Sequence, residues 1–455
     1  MNPEEKNKFN KQLMSLAVPL ALQNLLGALV GASDAFMLGR LTQDAIAAVS
    51  LANQIAFVMS LFYSIAILAA SVLVSQYWGK KDYLNARRFL GIAIRYAFVI
   101  GVVFTVGAYI FAEQLIGILT PEQELIRIGA GYLRIVCFSY VFTSVLHCFL
   151  MIMKISGHAK LSLWISVVTV IVDMTADFFL IYGFGKIPAF GANGSAYSTV
   201  VVEIIALVWC VIWAQRNADI RLGKDTLLYF SGAYEKDIWK IIPGMAASSL
   251  AWGFSITMHS FILGHLGTDA TAAASVATVA QQLIQGLTFG LSTGISIIIG
   301  KLLGQNELEK AKEYGARSWN VAFVSGMINV LLLGIAGPIV YLFYVLEPMA
   351  KRYLIHMLVF LAFYMVAFAY NTIITCGVFP AGGDSMYDGI SVLIATWCFA
   401  IPLALVACFV LHLPVMVVYV IMCLDEIVKV PFIKWRYNKY IWLKNLTKET
   451  SAETE

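Results

Sequence analysis

Long apolar runs separated by short polar breaks follow one another along nearly the whole chain, twelve in number. Each has the length that a lipid span needs, about 20 mostly apolar residues. The predicted spans are 13–38, 45–76, 90–112, 126–152, 161–183, 193–214, 238–263, 270–300, 317–345, 350–378, 387–410 and 414–434. All are helical, because an open strand leaves its backbone polar groups without partners in hydrocarbon. What remains between them is too short for a soluble domain, so the expectation is an all-α integral membrane protein.

Composition agrees with that pattern. The 455 residues are 60% hydrophobic and 13% charged, with a mean hydropathy of +0.80, far too apolar for a soluble chain. All seven cysteines lie in predicted spans at spacings that match no metal motif, and read as packing thiols. The start, MNPEEKNKFNK, runs into an apolar segment with no small-residue cleavage pattern and reads as a retained first span. A net charge of +4 raises nucleic acid as a partner, but the basic residues are spread among loops and form no stripe. Orientation explains them better. Twelve spans place both termini on one side, and Lys80, Lys81, Arg87, Arg88, Arg216, Arg221, Lys224, Lys236 and Lys240 share it with the tail's Lys429, Lys434, Arg436 and Lys439. Arg40, Arg127, Lys186, Lys351 and Arg352 fall opposite, and Arg95 and Arg134 belong clearly to neither side. The positive-inside rule makes the crowded side cytoplasmic.

The longest polar break runs from Arg216 to Lys240 and separates two groups of six spans. It divides the chain into an N-lobe at 1–215, a linker at 216–237, a C-lobe at 238–436 and a cytoplasmic tail at 437–455. Shifted by 225 positions, DAFMLGRLTQDAIAAVSLANQ at 34–54 meets HSFILGHLGTDATAAASVATV at 259–279 with 10 identities in 21. Gly79 likewise meets Gly304, and Ser71 meets Ser296. An even number of helices per copy makes this a parallel repeat about an axis along the membrane normal, as transporters use to enclose a midline site.

Three carboxylates interrupt the spans of the first copy: Asp34, Asp173 and Asp177. The shift sets them against His259, Cys398 and Pro402, so the acidic set belongs to one lobe. At about 1.5 Å per residue, Asp34 and Asp177 both lie about 7–8 Å below the outer ends of their helices. Tyr132 and Thr199 follow their outer loops by a similar distance, and Asn53 is slightly deeper. An ionised carboxylate in lipid costs at least about 2.5–3.5 kcal/mol and must be paired, hydrated or protonated. Asp173 and Asp177 share a helical face. The set therefore points to a proton or cation site, with Na+ held by oxygens of Asp34, Asp173, Asp177 and Thr199 as one form. A carboxylate that merely caps a broken helix or bonds a neighbour's backbone is the structural alternative. Pro19 removes a backbone hydrogen bond and sets a bend or hinge in the first span.

The second copy offers less. Trp252, Met258, His259 and Tyr370 are candidates to line a cavity for flat, apolar cations, although at helical spacing such residues more often pack against neighbours. Asp425 and Glu426, opening DEIVKVPFIKWRYNK, are expected to pair with that segment's bases. The sequence has no Walker loop, dinucleotide fingerprint, HExxH or nucleophile triad. These absences exclude the common enzyme classes and favour ion-coupled over ATP-driven transport, with no cofactor beyond a coupling H+ or Na+.

The ordered segments PLALQNLLGALVGASDAFMLGRL, AIAAVSLANQ, VSQYWGKKDYLNARR, MKISGHAK, DFFLIYGFG and GANGSAYSTV resemble the multidrug and toxic compound extrusion (MATE) family over nearly the whole chain. That family sits in a larger group with lipid-linked oligosaccharide flippases. The resemblance implies two six-helix lobes around a V-shaped cavity and export of organic, often cationic amphiphiles against inward H+ or Na+. It implies that Pro19 and Asp34 are the family's helix 1 proline and aspartate. It also implies that Tyr132, Asp173, Asp177 and Thr199 match the family's N-lobe cation site. Asp173 stands where the family has asparagine, and Trp252 where NorM-like members have glutamate, which places the chain nearer the DinF-like branch. The expectation is a monomeric antiporter; a lipid or lipid-linked sugar flippase is the alternative.

Overall fold

The structure is a computed structural model that describes residues 3–185, 188–227, 229–343 and 346–447. Lys186 and the tail beyond residue 447 lie outside the described residues. Those residues are helical almost throughout: α1 (Pro3–Gly39), α2 (Gln43–Gly79), α3 (Tyr83–Ile110), α4 (Ala112–Leu119), α5 (Gln123–Val136), α6 (Ser139–Ile155), α7 (Ala159–Tyr182), α8 (Ala192–Arg216) and a single turn, α9 (Lys224–Leu227). The second half repeats the plan with α10 (Gly232–His265), α11 (Thr268–Gly304), α12 (Leu308–Phe343), α13 (Pro348–Thr372), α14 (Phe379–Ala381), α15 (Ser385–Val392), α16 (Ile401–Leu405) and α17 (Val415–Tyr437). π-helical turns at Ile373–Val378, Leu393–Ala400 and Val406–Val410 join the short helices into continuous rods. Two of these turns precede Pro380 and Pro402, whose rings push away the carbonyls four residues back and open the helical ladder there.

Among the described residues ten helices are long and apolar enough to cross a membrane, and α5 with α6, bent by 49°, passes the same test as a pair, for up to eleven spans. The predicted fourth span is thus broken, with Cys137 and Phe138 at the bend. The twelfth, α17, is 23 residues long and carries Asp425, Glu426 and Lys429 at its buried centre. Lys429 Nζ reaches Glu426 Oε1 at 2.5 Å, as expected of a pair, whereas Asp425 accepts from Thr396 Oγ1 at 3.2 Å and from the Glu426 amide at 2.7 Å.

The repeat is visible in the element bounds. The shift of 225 carries α2 onto α11 end for end, the start of α3 onto that of α12, and the start of α5 onto that of α13. Lys81 and Asn306, equivalent under the shift, follow their helices with φ of 63° and 62°.

By contacts the chain forms two compact units. The N-unit comprises Gln23–Val74 and Lys81–Ile238, and the C-unit Met1–Leu22, Ser75–Lys80 and Trp239–Glu455. The boundary therefore falls inside α1 and near the end of α2. Within the C-unit, glycines let α2 and α11 cross backbone to backbone. A Cβ on Gly79 would sit 2.1 Å from the Lys301 carbonyl, and one on Gly304 would sit 1.8 Å from that of Gln76. These two contacts exchange under the repeat.

The stretch after α17 packs instead of trailing away. Trp442 is fully buried, stacks on Tyr437 with ring centroids 5.6 Å apart, and fills the space left by Gly315. Gln76 Oε1 accepts from the Leu446 amide at 2.6 Å, and its Nε2 donates to the Ala381 carbonyl at 2.7 Å. Trp442→Ala should remove about 3–5 kcal/mol of stability, the usual cost of deleting a buried tryptophan. A thermal unfolding curve in detergent that matches wild type would contradict this packing.

Candidate functional site

The N-unit brings its carboxylates together through three helices. Asp173 and Asp177 lie one turn apart on α7. α1 is tied along α7 at two levels: Gln23 Nε2 donates to Ser162 Oγ at 2.7 Å and Ser166 Oγ at 3.2 Å, and Tyr182 Oη donates to the Met37 carbonyl at 2.8 Å. Asp34 lies between these ties. On the other side α8 comes close because Gly194 lacks a Cβ, which would otherwise sit 2.5 Å from the Leu180 carbonyl. That approach lets Ser198 Oγ donate to Asp173, with Oδ1 at 2.9 Å and the main-chain oxygen at 3.2 Å.

Carboxylate oxygens of Asp34, Asp173 and Asp177 all lie within 4.8 Å of one another. Asp177 is fully buried and Asp173 is 8% exposed. Both Asp177 oxygens and Asp34 Oδ1 are closed to solvent and accept no hydrogen bond from a conventional donor. The Asp34 and Asp177 carboxyls lie beside each other with no donor between them. Two full charges at such separations repel by about 3–4 kcal/mol even at an effective dielectric of about 20. Three ionised carboxylates are thus a poor occupant of this site, whereas protons or an oxygen-seeking cation are a good one.

Beside the cluster lies a cavity of about 400 Å³, within the N-unit and walled by α1, α2, α5, α6, α7 and α8. Asp34, Asn53, Tyr132, Asp173 and Thr199 all line it, and Asp177 joins them through its contact with Asp34. The six residues singled out in the first copy therefore share one site. One further carboxylate lies on the same wall. Glu203, on α8 one turn beyond Thr199, lines the same cavity with Tyr140 and Thr143. Its signal was present in the sequence as a lone acid inside the apolar run VVVEIIAL, at helical spacing from Thr199. Ser198 gave no signal, since a serine in a span is ordinary.

The other candidates lie in the C-unit. α1 runs unbroken through Pro19, which is buried there. Met258 packs against the cluster of Ile262, Ala404 and Val418. Tyr370 lies with its ring 5.7 Å from that of Trp319, Trp252 is 39% exposed, and His259 Nε2 is buried with no hydrogen bond. These four are not gathered as the carboxylates are, and Met258 and Tyr370 pack against neighbours.

Known proteins resemble the chain over most of its length. A probable multidrug resistance protein of Bacillus subtilis, YoeA, is 26% identical over 398 residues, covering 86% of this chain and 85% of that protein. The multidrug export protein MepA of Staphylococcus aureus (strain bovine RF122 / ET3-1) is 23% identical over 334 residues, 72% of this chain and 73% of its own. The fold matches the solved structure of a MOP superfamily transporter from Pyrococcus furiosus Vc1 with a TM-score of 0.85, at 18% identity over 95% of this chain and 96% of that one. The signature described as MatE matches residues 19–179 and 243–418, both halves of the repeat, and so the chain belongs to the MATE family of multi-pass multidrug efflux transporters and is no enzyme.

Proposed function

We propose that this transporter is a secondary antiporter that exports organic, often cationic amphiphiles in exchange for inward H+ or Na+, with Asp34, Asp173 and Asp177 as the coupling site. The observation that carries the reading is the three carboxylates gathered within 4.8 Å beside a cavity that no Lys or Arg lines. Binding of H+ or Na+ neutralises the cluster, and its release to the cytoplasm restores the charge. Tyr132, Asn53 and Thr199 supply further oxygens on the cavity wall, so Na+ as well as H+ has ligands of the right kind. Bending of α1 at Pro19 is the movement we tie to the change of occupancy at Asp34. The transporter acts as a monomer in the inner membrane of a prokaryote with both termini cytoplasmic. Efflux of a fluorescent organic cation from proteoliposomes, under imposed proton or sodium gradients, tests this; no efflux of any amphiphile under either gradient would end the antiport reading. Export of a pyrophosphate-linked lipid, the flippase alternative, calls for a basic cavity, and this one is acidic.

Asp173 has its own test. Asparagine keeps the acceptor for Ser198, so Asp173→Asn should fold normally while removing one titrating group. The dependence of transport rate on proton concentration should become shallower than in wild type. An unchanged pH profile would show that Asp173 does not titrate in the cycle.

A further inference from the structure

The cavity holds one carboxylate that the coupling cluster does not use. Glu203 follows Thr199 by one turn of α8, about 6 Å along the helix axis, and is not among the three acids whose oxygens converge. Its Oε2 is closed to solvent and has no hydrogen-bond partner, and it is in none of the ion pairs among the described residues. Met59, Tyr63, Tyr140 and Leu146 line the same cavity, and His147 lies with its ring 5.2 Å from that of Tyr63. Tyr140 is 2% exposed, yet its hydroxyl is also without a partner. A buried hydroxyl and a half-buried acid with one closed, unpartnered oxygen, both on the wall of one cavity, mark a place where a ligand completes the bonding.

We propose that Glu203 anchors the cationic group of the exported compound, at a subsite of the N-unit cavity separate from the Asp34, Asp173 and Asp177 cluster. This rests on the antiport reading for its role in transport, though the binding itself does not. A small hard cation wants about six oxygens around it, and one carboxylate with the Thr143 hydroxyl, beside rings and a thioether, supplies too few. A flat organic cation wants the opposite: one charge partner, aromatic faces and soft apolar walls. The volume of about 400 Å³ lies in the range that holds drug-sized ligands. The placement also gives a physical basis for exchange. A cation at Glu203 and a cation or proton on the cluster share one low-dielectric cavity, so each raises the free energy of the other and favours its departure.

The test is equilibrium binding of ethidium to the purified full chain in detergent, read by its fluorescence, beside Na+ and proton binding measured on the same preparation. Glu203→Gln should weaken ethidium binding at least tenfold, Glu203→Asp should recover part of the loss, and binding of the coupling ion should stay within twofold of wild type. Melting curves identify any variant that fails to fold, and in that event Tyr140→Phe, which removes only the unsatisfied hydroxyl, should weaken ethidium severalfold. Ethidium binding unchanged in Glu203→Gln, no ethidium binding by wild type, or an equal loss of coupling-ion binding each overturns the proposal. Failure of the antiport reading shows separately, as wild-type protein that binds ethidium but moves it under neither ion gradient.

Discussion

Replacing Asp177 with asparagine should reduce gradient-driven efflux to the passive leak. The side chain is fully buried, both its oxygens lack conventional donors, and it faces the Asp34 carboxyl. Asparagine has nearly the same shape and can still donate to Asp34, so the packing of α1 on α7 should survive. What it cannot do is change charge. Each charge moved inward across 100 mV supplies about 2.3 kcal/mol, and at about 1.4 kcal/mol per decade one lost charge removes about a 50-fold concentration gradient. Proteoliposomes with equal amounts of folded wild-type and Asp177→Asn protein, loaded with the same organic cation, measure that difference directly. A variant that holds the wild-type gradient would remove Asp177 from the coupling site.

A second large effect is expected far from any carboxylate. Gly304→Ala places a Cβ 1.8 Å from the Gln76 carbonyl, where the obstacle is main chain and cannot swing aside. α2 and α11 must separate, and overpacking of this kind costs about 1–3 kcal/mol, with the rigid obstacle favouring the upper end. Gly79→Ala, which meets the Lys301 carbonyl at 2.1 Å, should have a loss of the same sign because the repeat makes the two contacts equivalent. The apparent Tm in detergent should fall by several degrees for each. A Cβ on Gly107 in α3 would meet nothing within 4 Å, so Gly107→Ala is the control and should be neutral or slightly stabilising. Equal melting of all three variants would show that the crossing is looser than its geometry.

The spans and the repeat were legible because lipid leaves the backbone little choice. A run of apolar residues long enough to cross must be helical, and a duplicated run keeps its register. The 225-position shift seen in LGxL and AxAA therefore carries α2 onto α11. Asp34, Asp173 and Asp177 were legible for the same reason, since charges stand out in hydrocarbon. Their contact was not. It depends on Gln23 meeting Ser162, Tyr182 meeting Met37 and Gly194 admitting α8, and nothing local to those residues names its partner. Glu203 is as visible inside VVVEIIAL as the aspartates are in their spans, yet it was not singled out, because its place on the cavity wall is set by the packing of α8 against α6. The bend between α5 and α6 has no proline or glycine to announce it. The burial of Trp442 and the pairing of Gln76 with Leu446 likewise depend on a chain end returning to a distant helix, which hydropathy does not encode.

The most direct measurement of coupling reverses the usual assay. Proteoliposomes containing the transporter are given a gradient of an organic cation and no ion gradient, and ion movement is followed with a pH-sensitive dye and with a sodium tracer. Antiport through the carboxylate cluster predicts that substrate flow drives H+ or Na+ in the opposite direction, and that Asp177→Asn abolishes this counterflow. Substrate movement with neither ion moving, or counterflow that persists undiminished in Asp177→Asn, would contradict it.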